Sequence, residues 1–397
     1  MNELLQLFYG LIARILDVCI PTDDKHWVFG AAGGKTYSEG SKYFMEYMLQ
    51  HHPDYVCTFV TRSDKVLQDL KAIGVPCVHN FSLRGVLCIS KASKFFTTHS
   101  NNDIFYDFRK KRRKNYYLVH GQPLKVAQMA LKKKSRYWES IEKKNKTIAF
   151  IRNIIHKLFI SDMTMADFQF VSATSDFLKP FMEIDFDYTI PVKILGMPRN
   201  DGLFDTVLMN RNVWLPEVKG KFVITYMPTH RLYGHGKVTP TPFINRPDVQ
   251  TWFKENNIVF LMKQHPNLIP KLKDNADTDT IKDITKLGLD PQVVIYHSDV
   301  LITDFSSVWM DYLLLRRPCI FYIYDNFEQD DTGCHYDIRE DPPGHFCSSE
   351  KELFNLIRQC KENYSQMIPP ENIVHKYHKY IDGNSCQRYF DEIIHES

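Results

Sequence analysis

The sequence predicts an α/β protein built on two doubly wound parallel sheets. Three observations point there. Short apolar, strand-like runs alternate with helix-spaced stretches along most of the 397 residues. The alternation halts near residues 205–218 and then restarts. Polar side chains that could do chemistry cluster directly after the apolar runs. Alternating strand and helix is the pattern of parallel sheets covered on both faces. The length exceeds one ordinary core and suggests two or three domains of about 100–200 residues. A hydrophobic fraction of 44% with 24% charged residues is that of a soluble globular protein.

Taken in order, the start Met1-Asn2-Glu3-Leu4-Leu5 lacks a basic leader region, so no signal peptide is expected. Residues 4–20 are apolar but interrupted by Gln6, Arg14 and Asp17, too often to span a bilayer. They read as a first packed helix, with a helix lying on a membrane as the alternative. The first strand is expected at 26–30. Gly33-Gly34-Lys35 and Ser41 follow it, then a helix from Lys42 to Gln50. Glycines between a strand and a helix can cradle phosphate. The spacing here departs from G-x-G-x-x-G and reads as a tight turn. Further strands are expected at 55–60, 75–78, 94–98, 116–119, 168–173 and 192–196. The turn-rich Gly196-Met197-Pro198-Arg199-Asn200-Asp201-Gly202 comes next. The domains are expected at 1–210 and 211–397. The second carries strands at 222–227, 258–262, 292–296, 299–303 and 319–323, and a last helix over 371–396 that packs back.

Residues 296–325 organise the second domain. Val300 to Ile302 is a strand, Thr303-Asp304-Phe305-Ser306-Ser307 a turn, Val308 to Leu315 a helix, and Cys319 to Ile323 a second strand after Pro318. Ligands of open α/β sheets bind at the carboxyl ends of strands, and helix starts attract phosphate. Asp and Ser also serve as plain helix caps. The Asp-x-Ser-Ser cluster between two fully apolar strands favours function.

Three other strand ends carry polar groups. They are Val119-His120-Gly121-Gln122-Pro123-Leu124-Lys125, Tyr226-Met227-Pro228-Thr229-His230-Arg231 and Lys263-Gln264-His265-Pro266. A histidine directly after a strand and before Gly or Pro stands at the rim of the sheet. Two domains facing each other would oppose His120 to Arg231, His265 and Asp304. Such cations and helix starts suit a diphosphate, and a histidine suits general-base work on a hydroxyl.

Nine cysteines occur without a C-x-x-C pair. Buried free thiols in a reducing compartment are expected, not disulfides or zinc ligands. No carboxylate cluster has metal-ligand spacing, so no obligatory metal is predicted. Between 109 and 157 stand sixteen Lys and Arg against two Glu, a net +14 that leaves the rest of the chain at −11. Lys132, Lys133, Lys134 and Arg136 lie among Trp138, Ile141, Ile148 and Phe159. A basic amphipathic stretch reads as an anionic membrane-surface element, here residues 109–160, with a solvated face or a nucleic-acid patch as alternatives. No nucleic-acid-binding motif accompanies the charge, and no nucleic-acid partner is predicted.

These motifs, in this order, resemble the CDP-glycerol glycerophosphotransferase family, the teichoic-acid primases and polymerases. The matching stretches are Trp27-Val28-Phe29-Gly30 with Ser41-Lys42-Tyr43, the His120-Gly121 motif, Gly196 to Asp201, Pro228-Thr229-His230-Arg231, Lys263-Gln264-His265-Pro266, Ile302 to Ser307, Tyr322-Ile323-Tyr324-Asp325 and Pro343-Gly344. The family usually carries Thr in place of Gln122, and Arg-Gly-Phe-Tyr-Phe where Thr332-Gly333-Cys334-His335-Tyr336 stands here.

The resemblance implies a GT-B architecture of two Rossmann-like domains across a cleft. It implies CDP-glycerol as donor and a membrane-bound glycan or lipid-linked acceptor, and the basic segment is expected to hold the enzyme at the cytoplasmic face of the membrane. Carried onto this chain, His120 is the base. Arg231, His265, Ser306 and Ser307 hold the donor diphosphate, joined by Gly121, Thr229 and Lys263, while Asp304 orients the turn. The same fold with CDP-ribitol or a nucleotide sugar is the alternative donor reading. A non-catalytic membrane-surface binding protein is the alternative outside enzymes.

Overall fold

The computed structural model describes residues 8–9, 12–13, 15–16, 19–104, 113–126, 168–211, 215, 218–229, 244, 246–264, 278–324 and 333–396. Seven strands form the first sheet: β1 Asp23–Phe29, β2 Val56–Thr61, β3 Cys77–His79, β4 Ala92–Thr97, β5 Lys114–Tyr117, β6 Phe168–Ala173 and β7 Val192–Ile194. They lie in the order β3-β2-β1-β4-β5-β6-β7. Six strands form the second: β8 Phe222–Tyr226, β9 Ile258–Met262, β10 Ile281–Asp283, β11 Val300–Thr303, β12 Cys319–Tyr322 and β13 His345–Cys347, in the order β10-β9-β8-β11-β12-β13. Every strand pairing is parallel. Both orders contain the reversal of a doubly wound sheet, between β1 and β4 and between β8 and β11, where a crevice opens at the strands' carboxyl ends. The architecture is the expected GT-B-like α/β fold.

The pattern of burial explains why these runs become strands. Every residue of β9, β11 and β12 is buried. Parallel strands covered on both faces must read as continuous apolar runs. Trp27 anchors the first sheet. Its ring lies 5.2 Å from Phe96, 4.9 Å from Tyr55 and 6.1 Å from Phe390 of the last helix, and its Nε1 donates to the Asp24 carbonyl at 2.9 Å. Ile224, Phe260, Ile302 and Ile320 form the second core against Phe253, Leu353 and Ile357. A third cluster joins the halves, from Val119 and Leu124 through Phe305 and Trp309 to Tyr377.

Four expectations need correction. Residues 292–296 are not a strand but the helix Pro291–Tyr296. Their β-branched run resembles a strand, but Asp290 caps the Gln292 N–H and Pro291 takes the first helical turn. The final helical stretch is two helices, Glu371–Tyr377 and Ser385–His395, separated where His378 is extended and Gly383 adopts φ 66°. The helix after Ser307 spans only Val308–Leu313. The sequence reading also missed β10 and β13, three-residue edge strands too short to carry a period.

At the start of the chain, Ala13 is buried against Val28, Val60 and Ile89, with Ile12 and Leu16 beside it. No helix among the described residues is long and apolar enough to cross a membrane. All nine cysteines are free thiols, and Cys57, Cys319, Cys347, Cys360 and Cys386 are buried.

Candidate active site

The first half contributes the tips of β4 and β5. Val119, just past β5, adopts φ 37°, a genuine strain for a β-branched residue and the cause of a sharp turn into His120. His120 is exposed in the cleft. Its Nδ1 lies 3.3 Å from the Thr98 carbonyl, which can only accept. The ring proton therefore sits on Nδ1, leaving the Nε2 lone pair as the basic site. Desolvation by the surrounding protein, then the neighbouring His99, push the His120 pKa down to about 4. The ring is thus neutral and proton-accepting at physiological pH. Gln122 is buried, donating to the Ser172 carbonyl at 3.1 Å and accepting from the Thr174 N–H at 3.1 Å. It bolts the turn to the end of β6.

The second half contributes the tips of β8, β9 and β11. Asp304 is buried, and its Oδ1 accepts the Thr229 N–H at 2.7 Å. This bond ties the two loops that flank the crevice, so Asp304 shapes the turn from beneath. Ser306 and Ser307 are half-buried, and Ser307 opens the helix Val308–Leu313 without a side-chain cap bond. A helix this short has a weak dipole, so an anion here relies on N–H groups and hydroxyls. Lys263 is buried beyond β9, and burial lowers its pKa. His265 and Arg231 lie outside the described residues, as do Lys132, Lys133, Lys134, Arg136 and Trp138.

The two halves meet at these tips. A Cβ built on Gly121 would stand 2.6 Å from the Ser307 hydroxyl, so a larger residue here would force that hydroxyl to turn away. Lys125 Nζ reaches the Thr229 hydroxyl at 3.2 Å. Arg199 is the main clamp. Its Nη1 donates to the His120 carbonyl and to Glu39 Oε2, each at 2.6 Å, and its Nη2 to Asp311 Oδ2 at 2.6 Å. Glu39 itself is held at φ 61°. One guanidinium thereby joins the His120 backbone to the helix that follows Ser307. Beside it, Asp290 accepts from Lys42 Nζ at 2.8 Å and the Tyr43 hydroxyl at 3.0 Å. Burial alone would raise the Asp290 pKa; Lys42, with the Gln292 N–H and the Tyr43 hydroxyl, outweighs it and holds the carboxyl below its ordinary value.

The sequence motif containing Arg199 was visible, but no role was assigned to Arg199. Glu39, Asp290 and Asp311 were missed, because their partners are distant in the chain. His99 was missed too, although Thr97-Thr98-His99 follows an apolar strand as His120 does. Of the basic segment, Arg113 and Lys114 serve the fold. Arg113 is buried, donating to the Ala92 and Ser90 carbonyls, and Lys114 reaches the Glu396 carbonyl. Among the described residues no group of three His, Cys, Asp or Glu side chains is placed to hold a metal ion.

Comparison with known proteins places this geometry. The family model for CDP-glycerol:poly(glycerophosphate) glycerophosphotransferases matches residues 12–395. The teichoic acid poly(glycerol phosphate) polymerase of Bacillus spizizenii is 25% identical over 99% of this chain and 98% of its own length. The Staphylococcus aureus teichoic acid ribitol-phosphate polymerase TarL is 31% identical, over 49% of this chain and 35% of its own. The solved wall teichoic acid polymerase TagF, in a variant soaked with CDPG, superposes with a TM-score of 0.71 at 22% identity, covering 99% of this chain and 92% of that one. UDP-GlcNAc 2-epimerase from Neisseria meningitidis shares the fold at a TM-score of 0.51 and 12% identity. With two facing doubly wound sheets, a histidine at the crevice and a family match over nearly its whole length, the chain belongs to the CDP-glycerol:poly(glycerophosphate) glycerophosphotransferase family.

Proposed function

We propose that the protein transfers glycerol phosphate from CDP-glycerol to a hydroxyl of a lipid-linked or polymeric glycan, releasing CMP, in teichoic-acid-type polymer synthesis. The acceptor oxygen attacks the β-phosphorus, the one that bears glycerol. An O–P bond forms as the bond from that phosphorus to the bridging oxygen breaks, and CMP leaves with the electron pair. His120 Nε2 takes the acceptor's proton. Ser306 and Ser307, with Arg231, His265 and Lys263, stabilise the diphosphate, while Gly121 permits the approach and Thr229 and Asp304 hold the loop. Positioning and electrostatics supply most of the rate in phosphoryl transfer.

The observation that carries this reading is the meeting of the His120-Gly121 turn with Ser307. It brings a neutral imidazole and the expected phosphate site to one crevice. An arriving diphosphate favours the imidazolium, so it raises the His120 pKa towards the operating pH, where a base works best. The acid limb of kcat/KM reports the free enzyme and that of kcat the complex. The kcat limb is accordingly expected at the higher pH.

The basic segment 109–160 is proposed to hold the enzyme at the cytoplasmic face of an anionic membrane, beside the acceptor. The test of function is a donor panel of CDP-glycerol, CDP-ribitol and a nucleotide sugar with a synthetic lipid-linked acceptor, read by CMP release and product mass. CDP-ribitol belongs there because the 31% identity to a ribitol-phosphate polymerase spans half the chain. CDP-glycerol should be consumed fastest. Turnover of a nucleotide sugar alone would overturn the donor assignment.

A further inference from the structure

We propose that His99 is a positioning residue for His120, stacked face to face on its ring so as to fix the plane of the base and restrict the two imidazoles to one positive charge between them. The proposal rests on His120 being the base, as above. The ring centroids lie 4.4 Å apart with an interplanar angle of 11°. Two imidazolium charges at that separation repel strongly in a partly desolvated cleft, so the second protonation is opposed.

His99 is itself held firmly. Asp103 is fully buried, and its Oδ2 accepts the Thr98 N–H at 2.7 Å, the His99 N–H at 2.8 Å and the Thr98 hydroxyl at 3.3 Å. Its Oδ1 accepts the Gly33 N–H at 2.7 Å. With its hydroxyl hydrogen given to Asp103, Thr98 Oγ1 accepts from His99 Nδ1 at 2.9 Å. The Thr98 carbonyl then receives the His120 Nδ1–H. One residue, Thr98, thus sets the tautomer of both rings, and both keep Nε2 as the unprotonated nitrogen. An orienting partner that fixes a ring's tautomer is how a histidine is prepared for proton transfer.

The other charged groups around His120 largely offset one another. Glu39, from the helix Glu39–His51, favours the imidazolium, and Arg199, from the helix Pro198–Asp201, opposes it. These two are paired at 2.6 Å. Asp103 and Arg199 act in the same opposed senses on His99. From the facing half, the neutral Ser307 hydroxyl stands against the adjoining Gly121. Beyond desolvation, His99 is, among the described residues, the neighbour that acts most strongly on His120.

The test follows the histidine ring signals of the full-length protein by NMR against pH, in the parent, in His99→Phe, which keeps an aromatic face, and in His99→Gln. In the parent, His120 should titrate far to the acid side in a curve shared with His99, since interacting groups lose protons as a pair. In both variants His120 should titrate in a single step displaced to higher pH. An unmoved His120 titration in variants that remain folded overturns the proposal, because a merely structural His99 would not affect it. The acid limb of kcat/KM, measured on the same proteins, should move up in step with the NMR titration. If the NMR titration moves and that limb stays, the assignment of His120 as base fails while the proton-sharing pair stands.

Discussion

Replacing Arg199 with Met should both loosen the junction of the two halves and slow the reaction. Met keeps much of the side chain's length and removes all three donations. The Asp311 side chain is 2% exposed, so its carboxylate would keep Gln292 Nε2 at 3.3 Å as a donor while losing its cation. Glu39 is 19% exposed and can draw partly on water. Breaking one side of a buried ion pair costs about 3–5 kcal/mol. Asp311 carries most of that cost here. For halves of this size each kcal/mol moves the melting temperature by about 2–4 °C, so a fall of roughly 6–20 °C is expected. Adding Asp311→Asn removes the stranded charge and should recover part of the loss, the sign of direct coupling in a double-mutant cycle. The freed His120 carbonyl should lower kcat as well, because a small misplacement of a reacting group costs on the order of 10²-fold. Calorimetry and steady-state kinetics on the three variants decide the matter. Arg199→Met melting within about 2 °C of the parent and retaining its kcat would refute the clamp.

Three further outcomes are expected. Gly121→Ala places a Cβ 2.6 Å from the Ser307 hydroxyl and should reduce kcat by up to about 10²-fold by turning that hydroxyl out of position; an unchanged kcat would mean that this contact is not part of the working site. Arg231→Ala and His265→Ala should each weaken CDP-glycerol binding by about 1.5–3 kcal/mol in titration calorimetry, the worth of a charged hydrogen bond, and unchanged affinity in both would place the diphosphate elsewhere. The parent should sediment with anionic vesicles at low salt and partly dissociate as salt rises, whereas a variant with Lys132, Lys133, Lys134 and Arg136 changed to Glu should stay in solution; equal sedimentation would remove the segment from the membrane contact.

How much of this was legible depended on whether the cause was local. The strand Val300–Thr303 and its turn could be read because a fully apolar run ends abruptly in Asp304 and two serines. His120 could be read because it stands between a strand and Gly121. The helix Pro291–Tyr296 was misread because Val293, Val294 and Ile295 favour strands, while its cap and Pro291 decide the outcome. Packing against Asn200 and Asp311 through Gln292 then completes that helix, a tertiary influence no local pattern carries. The Arg199 clamp and the Lys42–Asp290 pair join residues 79 to 248 positions apart. Their partners become visible only when the halves face each other. Gln122 shows the reverse: a departure from the family's usual Thr proves to be a buried bolt on β6, at the base of the turn and away from its tip.

The proposed removal of the acceptor's proton by His120, as glycerol phosphate leaves CMP, is tested most directly by CMP release from CDP-glycerol with acceptor present, comparing the parent with His120→Ala, alongside calorimetric donor affinity and circular dichroism. The expected variant is folded, binds CDP-glycerol like the parent and turns over about 10²–10⁴-fold more slowly. Turnover within about threefold of the parent would contradict it, since a general base at the reacting hydroxyl is worth far more than that.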